Sequence, residues 1–317
     1  MDRTISSMAA FVSVAFLGIG SACSSKKSND ETVVKHSKEE QQFLDDYKAE
    51  VEVGRNMAGR LLAFYGEYLD PGLTDYINKV GRFVANNGDY PQRRYLFAIL
   101  DSDSPNAFAC PGGYILLTRG IIQNAENEAE IGAILGHEAA HVGKQHMFKT
   151  LKSMNKADLD KVEAETSSRK RPDKYSRTRA RPIPTESESG SALAKFMTTA
   201  SGGGLGILQA AKAGIGLMLE KGLDKEMEFE ADREGVKYAI RAGYEPKALD
   251  SFLMRLALTK KKNNDKTVMD VTHPSIPDRR AAIAKVLDAM GADQIIGSVG
   301  KNRFDAAVVA LKARKKG

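Results

Sequence analysis

His137-Glu138-Ala139-Ala140-His141 lies in a helix-compatible run, with Ala129-Glu130-Ile131-Gly132-Ala133-Ile134-Leu135-Gly136 leading in and Val142-Gly143 leading out. Residues four apart in a helix lie one above the other on the same face. Two imidazoles so placed can grip one zinc ion, with Glu138 beside the metal's open position. Zinc-activated water next to a carboxylate is a hydrolytic centre. The pattern constrains the fold, because this helix must sit where a distant part of the chain can complete the metal shell. Three of the five histidines, His137, His141 and His146, fall between positions 137 and 146. His146, five residues beyond His141, is turned off the shared face and is the weaker ligand candidate. The competing reading is a pair of helical histidines satisfied by ordinary hydrogen bonds.

A tetrahedral catalytic zinc takes three protein ligands and one water, so a downstream carboxylate is required. Lys225-Glu226-Met227-Glu228-Phe229-Glu230-Ala231-Asp232-Arg233-Glu234-Gly235 supplies several. Met227, Ala231 and Val236 suggest a helix, on which Glu228 and Asp232 share a face. One carboxylate would bind metal while the other hydrogen-bonds a ligand imidazole and fixes its tautomer. Spacing alone does not choose between Glu226, Glu228 and Glu230, and a solvated acidic face would show the same letters.

HEAAH followed by EFEAD resembles the HExxH…ExxxD signature of zinc metallopeptidases of the CAAX-prenyl-protease, HtpX and Oma type. The resemblance extends to Asn106-Ala107-Phe108-Ala109-Cys110-Pro111-Gly112-Gly113-Tyr114, to Thr272-His273-Pro274 with Arg279, and to Gly54-Arg55, Tyr76 and Val80-Gly81 in the N-terminal helices. It covers about residues 45–285, with its motifs in the family's order. It implies an α+β, mostly helical, zincin-like (gluzincin) fold with a small sheet beside the HExxH helix. It also implies one Zn²⁺ per chain, held by His137, His141 and Glu228, with Asp232 behind the ligands. The chain departs from the family in Cys110, where an apolar residue is usual, and in a long gap between His141 and Glu228. Cys110 is expected to act as a small buried hydrophobe.

The 317 residues suffice for one substantial core or two small ones. The formal charge of +6 is mild, and no aromatic-studded basic motif for reading nucleic acid is present. Arg3 precedes an apolar stretch from Met8 to Ile19, too short to span a membrane comfortably, ending in Gly20-Ser21-Ala22-Cys23. This resembles a signal peptide over residues 1–22 with a bacterial lipobox, in which Cys23 becomes the acylated N-terminus. Leu is usual where Gly20 stands. Ser24 after the cysteine favours the outer membrane by the same resemblance, and residues 23–40 form a polar tether. Cys110 is then unpaired and no internal disulfide is expected.

Helices are expected from Lys38 to about Tyr68 and from Leu73 to Val84, separated by the breaker Asp70-Pro71-Gly72. Tyr95–Leu100 reads as a strand, followed by short strands at Ala107–Ala109 and Tyr114–Thr118 around Pro111-Gly112-Gly113. Asn127 or Glu128 opens the HExxH helix. In zinc peptidases of this general build, an edge strand beside that helix can receive a peptide substrate by strand addition. Asn106–Phe108 and Tyr114–Thr118 are the candidates, against an ordinary core hairpin. Residues 150–200 combine Arg169, Lys170, Arg171, Lys174, Arg177, Arg179 and Arg181 with three prolines, and are expected to be a mobile insertion in a domain over 41–290. A solvated segment is the simpler reading; a lid or an anionic-lipid contact is the functional one. Ser201–Leu219 is apolar and glycine-rich, with Lys212 at its centre, and reads as a buried helix packed closely on its neighbours. Helices follow at Pro246–Leu258 and Pro277–Met290. Residues 291–317 form a basic C-terminal segment, helical from Phe304 to Lys315.

The expected activity is zinc-dependent endopeptidase action in the bacterial envelope. Glu138 serves as general base and then acid, and Asp232 orients a ligand histidine. By resemblance to periplasmic relatives, His273 is either a latch on the fourth zinc position or a donor to the oxyanion; a loop histidine capping the Pro274–Arg280 turn is the plainer role. The substrates are expected to be unfolded or misassembled envelope proteins, with membrane contact through the lipid anchor and no nucleic-acid partner. A chaperone-like or latched assembly factor for outer-membrane proteins, with little proteolysis, is the alternative. A prenyl-protein endopeptidase is the third reading, set aside because those relatives have several membrane spans.

Overall fold

Three short strands act as a partition between two apolar clusters. The computed structural model describes residues 37–155, 157–159, 161–162, 207–263 and 271–314. In it, β1 (Leu96–Leu100), β2 (Ala107–Cys110) and β3 (Tyr114–Thr118) form a sheet in the order β1-β3-β2. β3 runs parallel to β1 and antiparallel to β2, with Leu116 opposite both Ala98 and Phe108. Alternate side chains leave a strand on opposite faces. Phe97, Ile99, Ile115 and Leu117 therefore enter one buried cluster, and Leu100, Phe108, Cys110 and Leu116 the other. Cys110 is buried and carries a free thiol.

The first cluster is closed by α2 (Pro71–Asn86), α4 (Glu128–Gly143), α7 (Lys225–Arg241), α8 (Ala248–Asn263) and α9 (Ile276–Ala289). The C-terminal α10 (Lys301–Arg314) joins it through buried Phe304, Val308 and Leu311. The second is closed by α1 (Lys38–Tyr65), α5 (His146–Ser153) and α6 (Ile207–Gly216), the last continued by a wide helical turn over Leu217–Lys221. Every residue of α4 is buried, as befits a helix apolar on almost all sides.

Local chemistry explains where the boundaries differ from the periodic reading. α1 stops at Tyr65 rather than Tyr68 because Gly66 takes φ 82, the left-handed conformation that commonly ends a helix. Asp70-Pro71, read as a breaker, is also a start signal. The Asp70 carboxylate accepts the Leu73 amide at 3.0 Å and Pro71 fills the first helical position, so α2 begins two residues before Leu73. Ser275 caps α9 in the same way. Two helices were not expected: α3 (Arg119–Asn124), capped by Thr118, and α5. Both are too short to display a period.

Tyr114–Thr118 is the central strand, with β1 and β2 on its two sides. It has no free edge to offer; β2, which packs against α4, lies at an edge of the sheet. The part of the 201–219 helix that is described carries Ala210, Ala211 and Ala213 fully buried. Packed apolar residues continue past position 150, since Leu151, Leu159 and Val162 join the second cluster. The leader, the Cys23 site, the tether up to residue 36, the insertion from 163 and residues 201–206 lie outside the described residues. No described helix is long and apolar enough to cross a membrane.

Candidate metal centre

α4 and α7 cross at two glycines. A Cβ on Gly136 would stand 2.6 Å from the Gly235 carbonyl oxygen, and one on Gly235 would stand 2.5 Å from the His137 amide nitrogen. Only glycine permits so close an approach. The crossing brings the histidine face of α4 against the carboxylate face of α7. His137, Glu138, His141, Glu228 and Asp232 all converge there, each no more than 5% exposed.

His141 Nε2 lies 3.1 Å from His137 Nε2 and 3.5 Å from Glu228 Oε1, while Glu228 Oε2 is 3.7 Å from His137 Nε2. His273, from the segment before α9, brings its Nε2 to 3.4 Å from Glu228 Oε2. His137, Glu228 and His273 each offer a ligand atom within 4.8 Å of the others. Ligand atoms at zinc distances on a tetrahedron stand roughly 3.3 Å apart, so these separations suit a shared ion. Glu228 Oε2 is buried with no hydrogen-bond partner among the described residues. A buried anionic oxygen needs a compensating cation or donor. Two or three neutral imidazoles and a carboxylate are a zinc donor set, and the residues fit the metal.

Behind the ligands, Asp232 Oδ1 lies 2.8 Å from His137 Nδ1, an ion-pair approach out of line for a hydrogen bond. The same carboxylate receives Arg279 at two points, Nε to Oδ2 at 2.9 Å and Nη2 to Oδ1 at 2.6 Å. Burial opposes the Asp232 charge, but the Arg279 guanidinium beside it holds the carboxyl well below the usual range. Glu138 has the opposite balance. Burial raises its pKa, only partly countered by His137 and His141, as suits a group that must pick up a proton near neutrality. Burial pushes His273 down to about 4, so the ring is neutral, with Nδ1 3.0 Å from Thr272 Oγ1.

The three glutamates that spacing left open part company. Glu226 is exposed in the first turn of α7, Glu228 faces the imidazoles, and Glu230 is half-buried and lies 3.0 Å from His146 Nε2. His146 does not face the ligand cluster, yet its Nδ1 lies 2.9 Å from His141 Nδ1. Arg279 entered the sequence reading only as part of a motif, and its contact with Asp232 had no local signal.

β2 borders the centre. Asn106 to Ala109 line a cleft with Glu138, His141, Glu228 and His273, and Phe108, Met147, Met218 and Leu223 give it an apolar flank. Asn106 and Thr118 fix the start of β2. Thr118 Oγ1 takes the Asn106 amide at 3.0 Å and donates to the Asn106 carbonyl at 3.0 Å.

A family model described as peptidase family M48 matches residues 71–287. A beta-barrel assembly-enhancing protease from Yersinia pestis is 28% identical over 218 residues, covering 68% of this chain and 39% of that protein. Its namesake from Escherichia coli K12 is 25% identical over 219 residues, with the same coverage of 68% and 39%. The mitochondrial metalloendopeptidase OMA1 of Schizosaccharomyces pombe is 32% identical over 90 residues, 27% of this chain and 26% of that protein. The chain therefore spans about two fifths of the length of the two bacterial relatives.

Proposed function

The chain belongs to peptidase family M48 and is a metallopeptidase, and from that premise we propose that it is a zinc-dependent endopeptidase of the bacterial envelope acting on unfolded or misassembled proteins. The observation that carries the reading is the meeting of His137, His141 and Glu228 beside the raised-pKa carboxyl of Glu138. Zinc held there would supply a Lewis acid and an activated water. Glu138, beside that position, would take a proton from the attacking water and return it to the leaving amine. Asp232, clamped by Arg279, would hold the His137 ring with Nε2 toward Glu228 and His141, where the metal would bind. An extended peptide adds to the free edge of β2, which aligns its backbone across Glu138. A strand-pairing site accepts extended chain, so folded proteins are poor substrates.

The bacterial relatives carry names that join a protease to β-barrel assembly. Together with the lipobox-like Gly20-Ser21-Ala22-Cys23, they support a periplasmic enzyme anchored by acylated Cys23, on the outer membrane. A second reading, a latched assembly factor with little proteolysis, is favoured by one observation: His273 Nε2 stands at ligand separation from Glu228. In the tautomer that carries its proton on Nδ1 and donates it to Thr272 Oγ1, the His273 Nε2 lone pair is free to occupy the position that water needs.

The test is cleavage of an outer-membrane β-barrel protein presented unfolded and, in parallel, folded in detergent. The expected result is cleavage of the unfolded form only, abolished by a chelator and restored by zinc. Equal cleavage of both forms, or cleavage that survives chelation, would contradict the proposal. His273→Ala should raise the rate if the ring is a latch and lower it if it assists the oxyanion; an unchanged rate removes both roles.

A further inference from the structure

We propose that His146 and Glu230 form a relay behind His141 that fixes which of its nitrogens is free to hold metal, making both of them positioning residues for the centre. The proposal rests on the zinc reading above. Two imidazole nitrogens 2.9 Å apart, His141 Nδ1 and His146 Nδ1, must share one proton, with one ring donating and the other accepting. Two arrangements are possible. If His146 donated, its own Nε2 would turn a lone pair toward Glu230 Oε2 at 3.0 Å, and the His141 proton would sit on Nε2, where the metal belongs. If His146 accepts, its proton lies on Nε2 and is donated to Glu230, while His141 keeps its proton on Nδ1 and frees Nε2. Glu230 selects the second arrangement, and Lys144 Nζ, 3.2 Å from its other oxygen, holds the carboxylate in place.

Each helical ligand is then backed by a carboxylate of α7. Asp232 reaches His137 directly, and Glu230 reaches His141 through His146. Such outer partners fix ring orientation and ligand basicity.

The backbone is bent to make this contact. α4 ends at Gly143 and α5 restarts at His146, with Gln145 between them at φ 60 and ψ 34. Gln145 has the single positive φ outside glycine among the described residues. A bulky residue in this region costs energy and persists only where the surroundings impose it. Here Gln145 Nε2 donates to Glu50 Oε2 at 2.5 Å. Glu50 is fully buried and also accepts Arg93 Nη1 at 2.7 Å and the Gly112 amide at 3.1 Å. Helix α1 thus braces the reversal that swings His146 back onto His141. Had α4 simply continued, His146 would have left that face.

The experiment measures zinc affinity by competition with a chromophoric chelator on the full chain, for wild type, His146→Leu, His146→Asn and Glu230→Gln. His146→Leu removes the acceptor and should weaken zinc roughly 10- to 100-fold. His146→Asn places Oδ1 where Nδ1 stood and should recover most of that loss, which a merely space-filling role would not predict. Wild-type affinity in His146→Leu would overturn the relay. So would His146→Asn as weak as His146→Leu, with both melting like wild-type apoprotein. Should His146→Leu fail to fold, Glu230→Gln decides, since it changes charge and not volume. Weakened zinc binding is expected of it, and unchanged binding overturns the proposal. Absence of zinc binding by wild type would instead overturn the metal reading itself, and the relay with it.

Discussion

Replacing Gly235 with alanine tests whether the crossing of α4 and α7 sets the metal centre. A Cβ at that position would stand 2.5 Å from the His137 amide nitrogen and 2.6 Å from its Cα, where ordinary contact begins at 3.4 Å. The two helices must part by 3.4 − 2.5, about 0.9 Å. Glu228 and Asp232 ride on the helix that moves. Carried to Asp232, the displacement stretches its 2.8 Å contact with His137 Nδ1 to about 3.7 Å, which loosens the hold on the ring. Overpacking of this kind costs about 1–3 kcal/mol. Loss of the partner behind His137 should lower zinc affinity a further 10- to 100-fold, as an order-of-magnitude expectation. Thermal unfolding of apoprotein and chelator competition separate the two effects. Gly72→Ala is the control, because its Cβ would meet only Asp70 Oδ1 at 3.6 Å; it should leave zinc affinity unchanged and hold or raise the melting temperature. If Gly235→Ala keeps wild-type zinc affinity and melts at the wild-type temperature, the crossing does not govern the site.

Further consequences concern the buried charges. Arg279→Ala strands the fully buried Asp232 carboxylate and should cost about 3–5 kcal/mol, read by urea unfolding; a loss under 1 kcal/mol, on the order of a surface pair, would contradict the clamp. Because Arg279 holds the Asp232 pKa below its ordinary 3.8, the ionised carboxylate favours the folded state. That contribution is complete above the ordinary value and fades as pH falls through it toward the lowered folded pKa. Stability of apoprotein measured between pH 7 and 3 should therefore drop at the acid end in wild type, and the drop should shrink in Arg279→Ala. Glu50→Ala leaves Arg93, Gly112 N–H and Gln145 without their shared acceptor and should cost about 3 kcal/mol or more; a melting temperature equal to wild type would remove Glu50 as the brace of the Gln145 reversal.

Elements whose signal is local could be read directly from the chain. The i, i+4 spacing of His137 and His141 is enough to put two imidazoles on one face of a buried helix. The short, apolar and aromatic runs at Leu96–Leu100 and Tyr114–Thr118, bounded by turn residues, are enough for strands. What the chain could not show was which strand lies at an edge, because strand order is decided by pairing across the sheet. Glu226, Glu228 and Glu230 were indistinguishable by spacing, since their difference is made by the α4–α7 crossing. That crossing had a legible trace in Gly136 and Gly235, one residue before His137 and three after Asp232, but a glycine reveals close approach only once its neighbour is known. His146 stays out of the ligand cluster, but the contact it makes instead had no signal in the helical period. Extending the helical period past Gly143 placed it off the face, whereas Gln145 leaves the helical region and returns it to His141. Gly143 marked where the helix could stop; nothing in the letters announced a left-handed glutamine held by Glu50, ninety-five residues away.

Whether the centre around Glu138 is a zinc endopeptidase is decided by zinc stoichiometry measured together with casein degradation, for wild type and Glu138→Gln. One zinc per chain is expected in both proteins, with hydrolysis in wild type alone, because Glu138 moves the proton without holding the metal. Zinc absent from wild type, or full hydrolysis by Glu138→Gln, would contradict that role.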